Sequence, residues 1–166
     1  LVPADIACFG TVSLALEPGA SRYAQLLKDF AAQGTLVALD PNIRPLYATA
    51  EHREFLAELL PYVTLLKLSD EEVEFLGDDL ISQVPIVVVT RGGEGLSVRA
   101  GDTSLTVPAA RVTVTDTIGA GDTIMAALLT QIDERGLGAA ALAALDPAQW
   151  KDILSFAVTA AGITVS

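Results

Sequence analysis

Short apolar runs, each ending in a polar loop that carries glycine or proline, constrain this chain most. Ile6-Ala7-Cys8-Phe9 stops at Gly10, Leu36-Val37-Ala38-Leu39 runs into Asp40-Pro41-Asn42-Ile43-Arg44, and the run from Val63 to Leu68 ends at Ser69. A further run from Ile86 meets Thr90-Arg91-Gly92-Gly93-Glu94-Gly95. Runs of this length without a polar alternate face read as strands buried on both sides, the pattern of a parallel sheet. The spacing predicts strands over Ala4 to Gly10, Thr35 to Asp40, Val63 to Leu68 and Ile86 to Thr90.

Helical spacing fills the intervals. Apolar residues at Tyr23, Leu26, Leu27, Phe30 and Ala31 predict a helix from Ala20 to Gln33, closed by Gly34. A second helix is expected from Thr49 to Leu60, before Pro61. Ser69 followed by Glu72 is a capping-box pattern for a helix reaching about Leu76. Leu96 to Arg99 and Ser104 to Val107 pair as a hairpin across Ala100-Gly101-Asp102-Thr103. Further helices are expected at Ala120 to Glu134, Leu137 to Leu145 and Pro147 to Gly162. Strands alternating with helices predict a three-layer α/β fold with a mostly parallel sheet, organised as a single domain over residues 1–166. In such sheets ligands lie at the carboxyl ends of the strands. The loops Asp40 to Arg44, Ser69 to Glu72, Thr90 to Gly95 and Asp116 to Asp122 all follow predicted strands and would share that edge.

The last of these loops carries the most chemistry. Asp116-Thr117-Ile118-Gly119-Ala120-Gly121-Asp122 lies between the alternating segment Arg111 to Thr115, which reads as a strand, and the apolar stretch that opens the helix at Ala120. Its glycines let a ligand approach the backbone, and the first amides of a helix point outward at an anion. Asp122 can then take a proton from a hydroxyl while the amides hold a phosphate, or serve simply as a helix cap in an ordinary loop; loop chemistry leaves both readings open.

Composition removes several classes of function. The net charge is −11 and no cluster of Lys and Arg exists to track a phosphate backbone, so nucleic acid is not an expected partner. No apolar run reaches the roughly 18 residues a bilayer demands, and the apolar stretch Gly136 to Leu145 reads as a buried helix. Cys8 is the only cysteine; with no disulfide framework it is expected in the core, and a cytoplasmic location fits. His52 stands alone among polar residues and reads as a surface side chain. The start at Leu1-Val2-Pro3 and the stop at Ile163-Thr164-Val165-Ser166, inside an element, lead us to expect a fragment of a longer protein.

The Asp116 to Asp122 loop resembles the C-terminal signature of the ribokinase-like (PfkB) sugar kinases, and four other segments resemble fructokinase-type members. These are Phe9 to Ala15, Leu39 to Arg44, Lys67 to Glu72 and Val89 to Gly95. The resemblance covers nearly the whole chain but only the C-terminal, nucleotide-binding half of that fold, without the sugar-binding and lid half. It implies ATP-dependent phosphorylation of a sugar hydroxyl, with D-fructose as the expected acceptor; a nucleoside or other small-alcohol kinase, or a non-catalytic nucleotide-binding domain, are the alternatives.

The resemblance also assigns residues. Asp122 would be the general base, and Gly119, Ala120 and Gly121 the anion hole for the transferring phosphoryl group. Ser69 and Glu72 would organise Mg²⁺ and phosphate, although Ser stands where the family usually has Asn, and a capping box alone also explains them. Thr90, Arg91, Gly92 and Gly95 would touch the ATP phosphates; a tight turn with a solvated Arg is the other reading. Asn42 and Arg44 would lie on the nucleotide side, or reflect turn chemistry between two prolines, and Val158 would lie against the adenine where many relatives have Asn. Asp116 and the Ile118 carbonyl would match part of a monovalent cation (K⁺) site, its other ligands lying at and beyond Ser166. A homodimer would use the missing lid.

Overall fold

The apolar runs become strands because their branched side chains fill both faces of a pleated sheet. In the computed structural model, which describes residues 2–166, they are β1 (Ile6–Gly10), β2 (Leu36–Asp40), β3 (Leu65–Ser69) and β4 (Ile86–Thr90). The hairpin supplies β5 (Leu96–Ala100) and β6 (Thr103–Val107). The strands follow one another in sequence order in a six-stranded sheet, with β1, β2 and β3 parallel and β6 antiparallel to β5. The expected mostly parallel α/β sheet is therefore present. The chain forms two units, one ending at Val87 and the other beginning at Val88.

In the first unit, α1 (Gly19–Ala32) links β1 to β2, and α2 (Ala50–Ala57) with a 3₁₀ turn at Leu60–Tyr62 links β2 to β3. Every residue of β2 is buried. The Ser69 capping box opens α3 (Asp70–Leu76), as the sequence predicts, and α4 (Asp78–Ile81) follows. In the second unit, α5 (Ala120–Glu134), α6 (Ala139–Ala143) and α7 (Pro147–Val165) follow the hairpin. Asp146 caps α7 by accepting the Gln149 amide at 2.8 Å, with Pro147 at the first helical position where no N–H is needed. Helices α5 and α7 pack on each other, and Trp150, Ile153, Leu154, Leu128 and Ile132 are buried there. Met125 joins this core, as expected. Among the described residues no helix is long and apolar enough to cross a membrane.

Four expectations are corrected. Cys8 is exposed, because β1 lies at the sheet edge; Phe9 points inward to Phe30 at 6.2 Å, and its neighbour on the strand points to the opposite face. Arg111 to Thr115 forms no strand: all five residues are exposed. The stretch Gly136 to Leu145 forms only the five-residue α6, whose alanines are largely solvent-facing while Leu142 and Leu145 anchor it. His52 is buried, with its ring 5.4 Å from that of Tyr47 and 6.2 Å from that of Phe55.

The last correction has a measurable consequence. Burial lowers the His52 pKa from its ordinary 6.5. Below that pH the unfolded chain takes up a proton that the folded chain resists, so stability falls as pH falls. Comparing urea midpoints between about pH 7.5 and 5.5, the native chain is expected to lose more stability than His52→Leu. Equal losses would contradict the burial of a neutral imidazole.

Candidate active site

The second unit builds a candidate anion site from local chain chemistry. Asp116 Oδ1 accepts the Ile118 amide at 2.9 Å, an Asx turn that bends the loop. Gly119 then takes φ +79°, a left-handed conformation that glycine adopts without cost, and α5 begins at the next residue. The Ala120 amide is bonded to Thr117 O at 3.2 Å, and the first α-helical bond runs from Thr123 N to Gly119 O at 2.9 Å. The amides of Gly121 and Asp122 therefore precede any helical acceptor, at the positive end of a 15-residue helix. Asp122 is the third residue of α5; Gly119 occupies the N-cap position, so Asp122 is not the cap, and its side chain is exposed.

A cavity of about 260 Å³ opens beside these amides. Thr117, Ala120 and Gly121 line one part of it, Thr90, Gly92 and Gly95 another, and Val158 a third. The loop after β4 thus shares a cavity with the start of α5, as the sequence implies. Arg91 closes that turn through its amide to Gly95 O at 2.9 Å, while its side chain is exposed. Gly95 is required there: its φ is +104°, and a Cβ would lie 2.0 Å from Val107 O. The alternation in Arg111 to Thr115 also finds its meaning here, since Ala110, Val112 and Val114 line the cavity instead of pairing in the sheet.

The first unit brings together the remaining nominated residues. Glu72 is buried, and its carboxylate accepts two amides, Ser69 N at 2.7 Å and Ile43 N at 2.6 Å. Ser69 Oγ accepts the Glu72 amide at 3.3 Å, completing the capping box. Asn42 sits at φ +46° although it is not glycine. Its peptide link to Ile43 is gripped from both sides, because Tyr47 Oη donates to Asn42 O at 2.8 Å while Ile43 N donates to Glu72. Arg44 is exposed, one residue beyond that grip.

Tyr47, Asp40 and Lys67 are the participants that sequence reasoning missed. Lys67 Nζ lies 2.6 Å from Asp40 Oδ2, both side chains being nearly inaccessible. The signal was present: each is a charged residue attached to an otherwise apolar strand run. Burial, ahead of an opposing effect of Arg44 and a reinforcing one of Glu72, raises the Tyr47 pKa above its ordinary 10, so the phenol remains a donor at neutral pH. Tyr47→Phe is expected to cost about 1 kcal/mol in urea unfolding. No loss at all would show that the hydroxyl does not hold the Asn42 peptide.

Among the described residues no group of three or more His, Cys, Asp or Glu side chains is arranged to hold a metal ion. Glu72 has one amide on each oxygen, and Asp116 Oδ1 is occupied by its own loop.

A left-handed glycine opening α5, a carboxylate three residues on and a cavity fed by a glycine turn make a recognisable set. The family model described as pfkB family carbohydrate kinase matches residues 1–166. The chain belongs to this family. Among its pfkB relatives, a fructokinase of Rhizobium leguminosarum bv. trifolii is 36% identical over 136 residues, which is 75% of this chain and 41% of the relative. Fructokinase-2 of Solanum habrochaites is 30% identical over 172 residues, 95% of this chain and 51% of the relative. Among solved structures, an uncharacterised sugar kinase from Pyrococcus horikoshii matches with a TM-score of 0.82 at 27% identity, covering 98% of this chain and 52% of that one. A fructokinase with bound ATP from Xylella fastidiosa matches with a TM-score of 0.87 at 24% identity, covering 98% of this chain and 55% of that one. These pfkB structures share the expected αβα ribokinase-like fold. The chain spans about half the length of the relatives it matches.

Proposed function

We propose that this chain is the C-terminal, nucleotide-binding half of an ATP-dependent sugar kinase, with D-fructose as the acceptor. The observation that carries the reading is the amino terminus of α5, where Gly121 lines the cavity and exposed Asp122 follows it. Phosphoryl transfer asks for positioned donors around the transferring group and an acceptor for the hydroxyl proton. The Gly121 and Asp122 amides supply the donors, with the Thr90 to Gly95 turn bounding the triphosphate. The Asp122 carboxylate takes the proton from the attacking sugar hydroxyl.

Fructose as acceptor is supported by curated fructokinases at 36% and 30% identity. ATP as donor is supported by the Pyrococcus sugar kinase, 27% identical, solved in complex with ATP. Mg²⁺ fits this scheme as the counter-ion of the triphosphate. Cytoplasmic action accords with ATP as the donor.

The test is transfer of labelled γ-phosphate from ATP by the longer protein that carries this chain, across D-fructose, other hexoses, ribose and nucleosides. Fructose is expected to give the highest kcat/KM. A nucleoside or another alcohol in first place would overturn the substrate while leaving the kinase, and nucleotide binding without transfer to any acceptor would overturn the enzyme.

A further inference from the structure

The loop that carries Gly119 to Asp122 is tied at both of its ends to the last turn of α7. The carbonyls that end a helix have no intrahelical donor, and here Val165 O accepts the Thr115 amide at 2.7 Å and the Asp116 amide at 3.5 Å, where the loop begins. Where it ends, the Thr123 and Thr164 hydroxyls lie 2.9 Å apart, although 41 residues separate them along the chain. Thr164 Oγ1 donates its proton back to Ala160 O at 3.3 Å, so Thr123 is the donor in the pair. Thr123 N also makes the first α-helical bond of α5, to Gly119 O at 2.9 Å, and Thr123 follows Asp122 directly. Between the two ties, the Asx turn at Asp116 and the bond from Ala120 N to Thr117 O join the loop to itself and not to another element. The Thr164 methyl faces the same loop, 3.9 Å from where a Cβ would stand on Gly119.

We propose that Thr123 and Thr164 are positioning residues for phosphoryl transfer: the bond between their hydroxyls fixes the first turn of α5, and with it Asp122 and the Gly121 amide. The inference rests on the kinase reading above and concerns what holds its reacting groups in place. Two glycines within three residues let a ligand approach the loop, but they leave its backbone soft and set no position of their own. Asp122 is exposed at the third position of α5, so the direction of its carboxylate follows the helical turn that carries it. A reacting group displaced by about 1 Å can cost about 10² in rate. Nucleotide binding depends less on that turn, because the cavity wall extends to Thr90, Gly92 and Gly95, away from the α5 loop. Loss of the hydroxyl bond is therefore expected in kcat and not in the KM for ATP.

Steady-state transfer from ATP to the acceptor used fastest by the protein that carries this chain tests this, with Thr164→Val, Thr123→Val, the double variant and Thr164→Ser beside the native protein. Thr164→Val keeps the methyl that faces Gly119 and loses the hydroxyl; it is expected to lower kcat about tenfold while the KM for ATP stays within about threefold. Thr123→Val is expected to do the same, and the double variant to fall no further than either, since all three lose one and the same bond. Thr164→Ser keeps the hydroxyl and loses the methyl, and is expected to hold kcat within about threefold of native. Unchanged kcat in both valine variants, losses that multiply in the double variant, or a serine variant as slow as Thr164→Val would each overturn the inference and leave the kinase reading in place. A change confined to KM would overturn it by marking a binding contact. Absence of transfer from the native protein to any acceptor would overturn the kinase reading and this inference together. Deuterium exchange over residues 115–123 gives a reading that needs no turnover: it is expected to be faster in Thr164→Val than in the native protein and in Thr164→Ser, and equal exchange in all three would overturn the tie between α7 and the loop.

Discussion

Lys67→Met is expected to lower the free energy of unfolding by about 3–5 kcal/mol, the usual cost of removing one partner of a buried ion pair. Lys67 is on β3 and Asp40 on β2, parallel neighbours in the sheet, and the ammonium lies 2.6 Å from the carboxylate with little solvent at either side chain. In water such a pair contributes little; here the contact replaces hydration that both groups lost on burial. Removing the ammonium leaves Asp40 with its desolvation cost and without this partner. Asp40→Asn combined with Lys67→Met removes both charges and is expected to recover most of the loss, a coupling that a double-mutant cycle measures by urea unfolding. A loss below about 1 kcal/mol for Lys67→Met would show a solvated pair instead. Because Asp40 also opens the segment leading to Asn42 and Arg44, the pair fixes the point from which that loop departs.

What the sequence made legible is what local rules govern. The Ser69 and Glu72 capping box, the start of α5 at Ala120 and the hairpin all follow from residues within a few positions of one another. The roles that escaped are long-range. Nothing near Glu72 announces that it accepts the amide of Ile43, 29 residues earlier, and nothing near Tyr47 announces its neighbour His52 as a buried ring. Cys8 reads as core because an edge strand and a central strand carry similar apolar runs; only the sheet order separates them. The alternation from Arg111 to Thr115 is ambiguous for another reason. Extended backbone turns successive side chains to opposite sides whether the apolar ones meet a sheet or a cavity, and here Val112 and Val114 meet the cavity.

The second large effect concerns Asp122. Asp122→Asn keeps the side chain's size and leaves the first turn of α5 with its amides in place, so nucleotide affinity is expected to be unchanged within about threefold, a difference well under 1 kcal/mol. It removes the only proton acceptor the proposal places beside the anion site. The expected result is a fall in kcat of about 10²–10⁴, the usual contribution of a general base. A change confined to KM would instead mark a binding residue. The carboxylate is exposed, so the substitution buries no unpaired group and its effect on folding is small.

One measurement therefore tests the account most directly: kcat for phosphate transfer from ATP to D-fructose by the protein that carries this chain, native beside Asp122→Asn, with ATP affinity measured on both. The account predicts turnover in the native protein, a fall of at least about a hundredfold in the variant and equal ATP affinity. Equal turnover in the two proteins would contradict it.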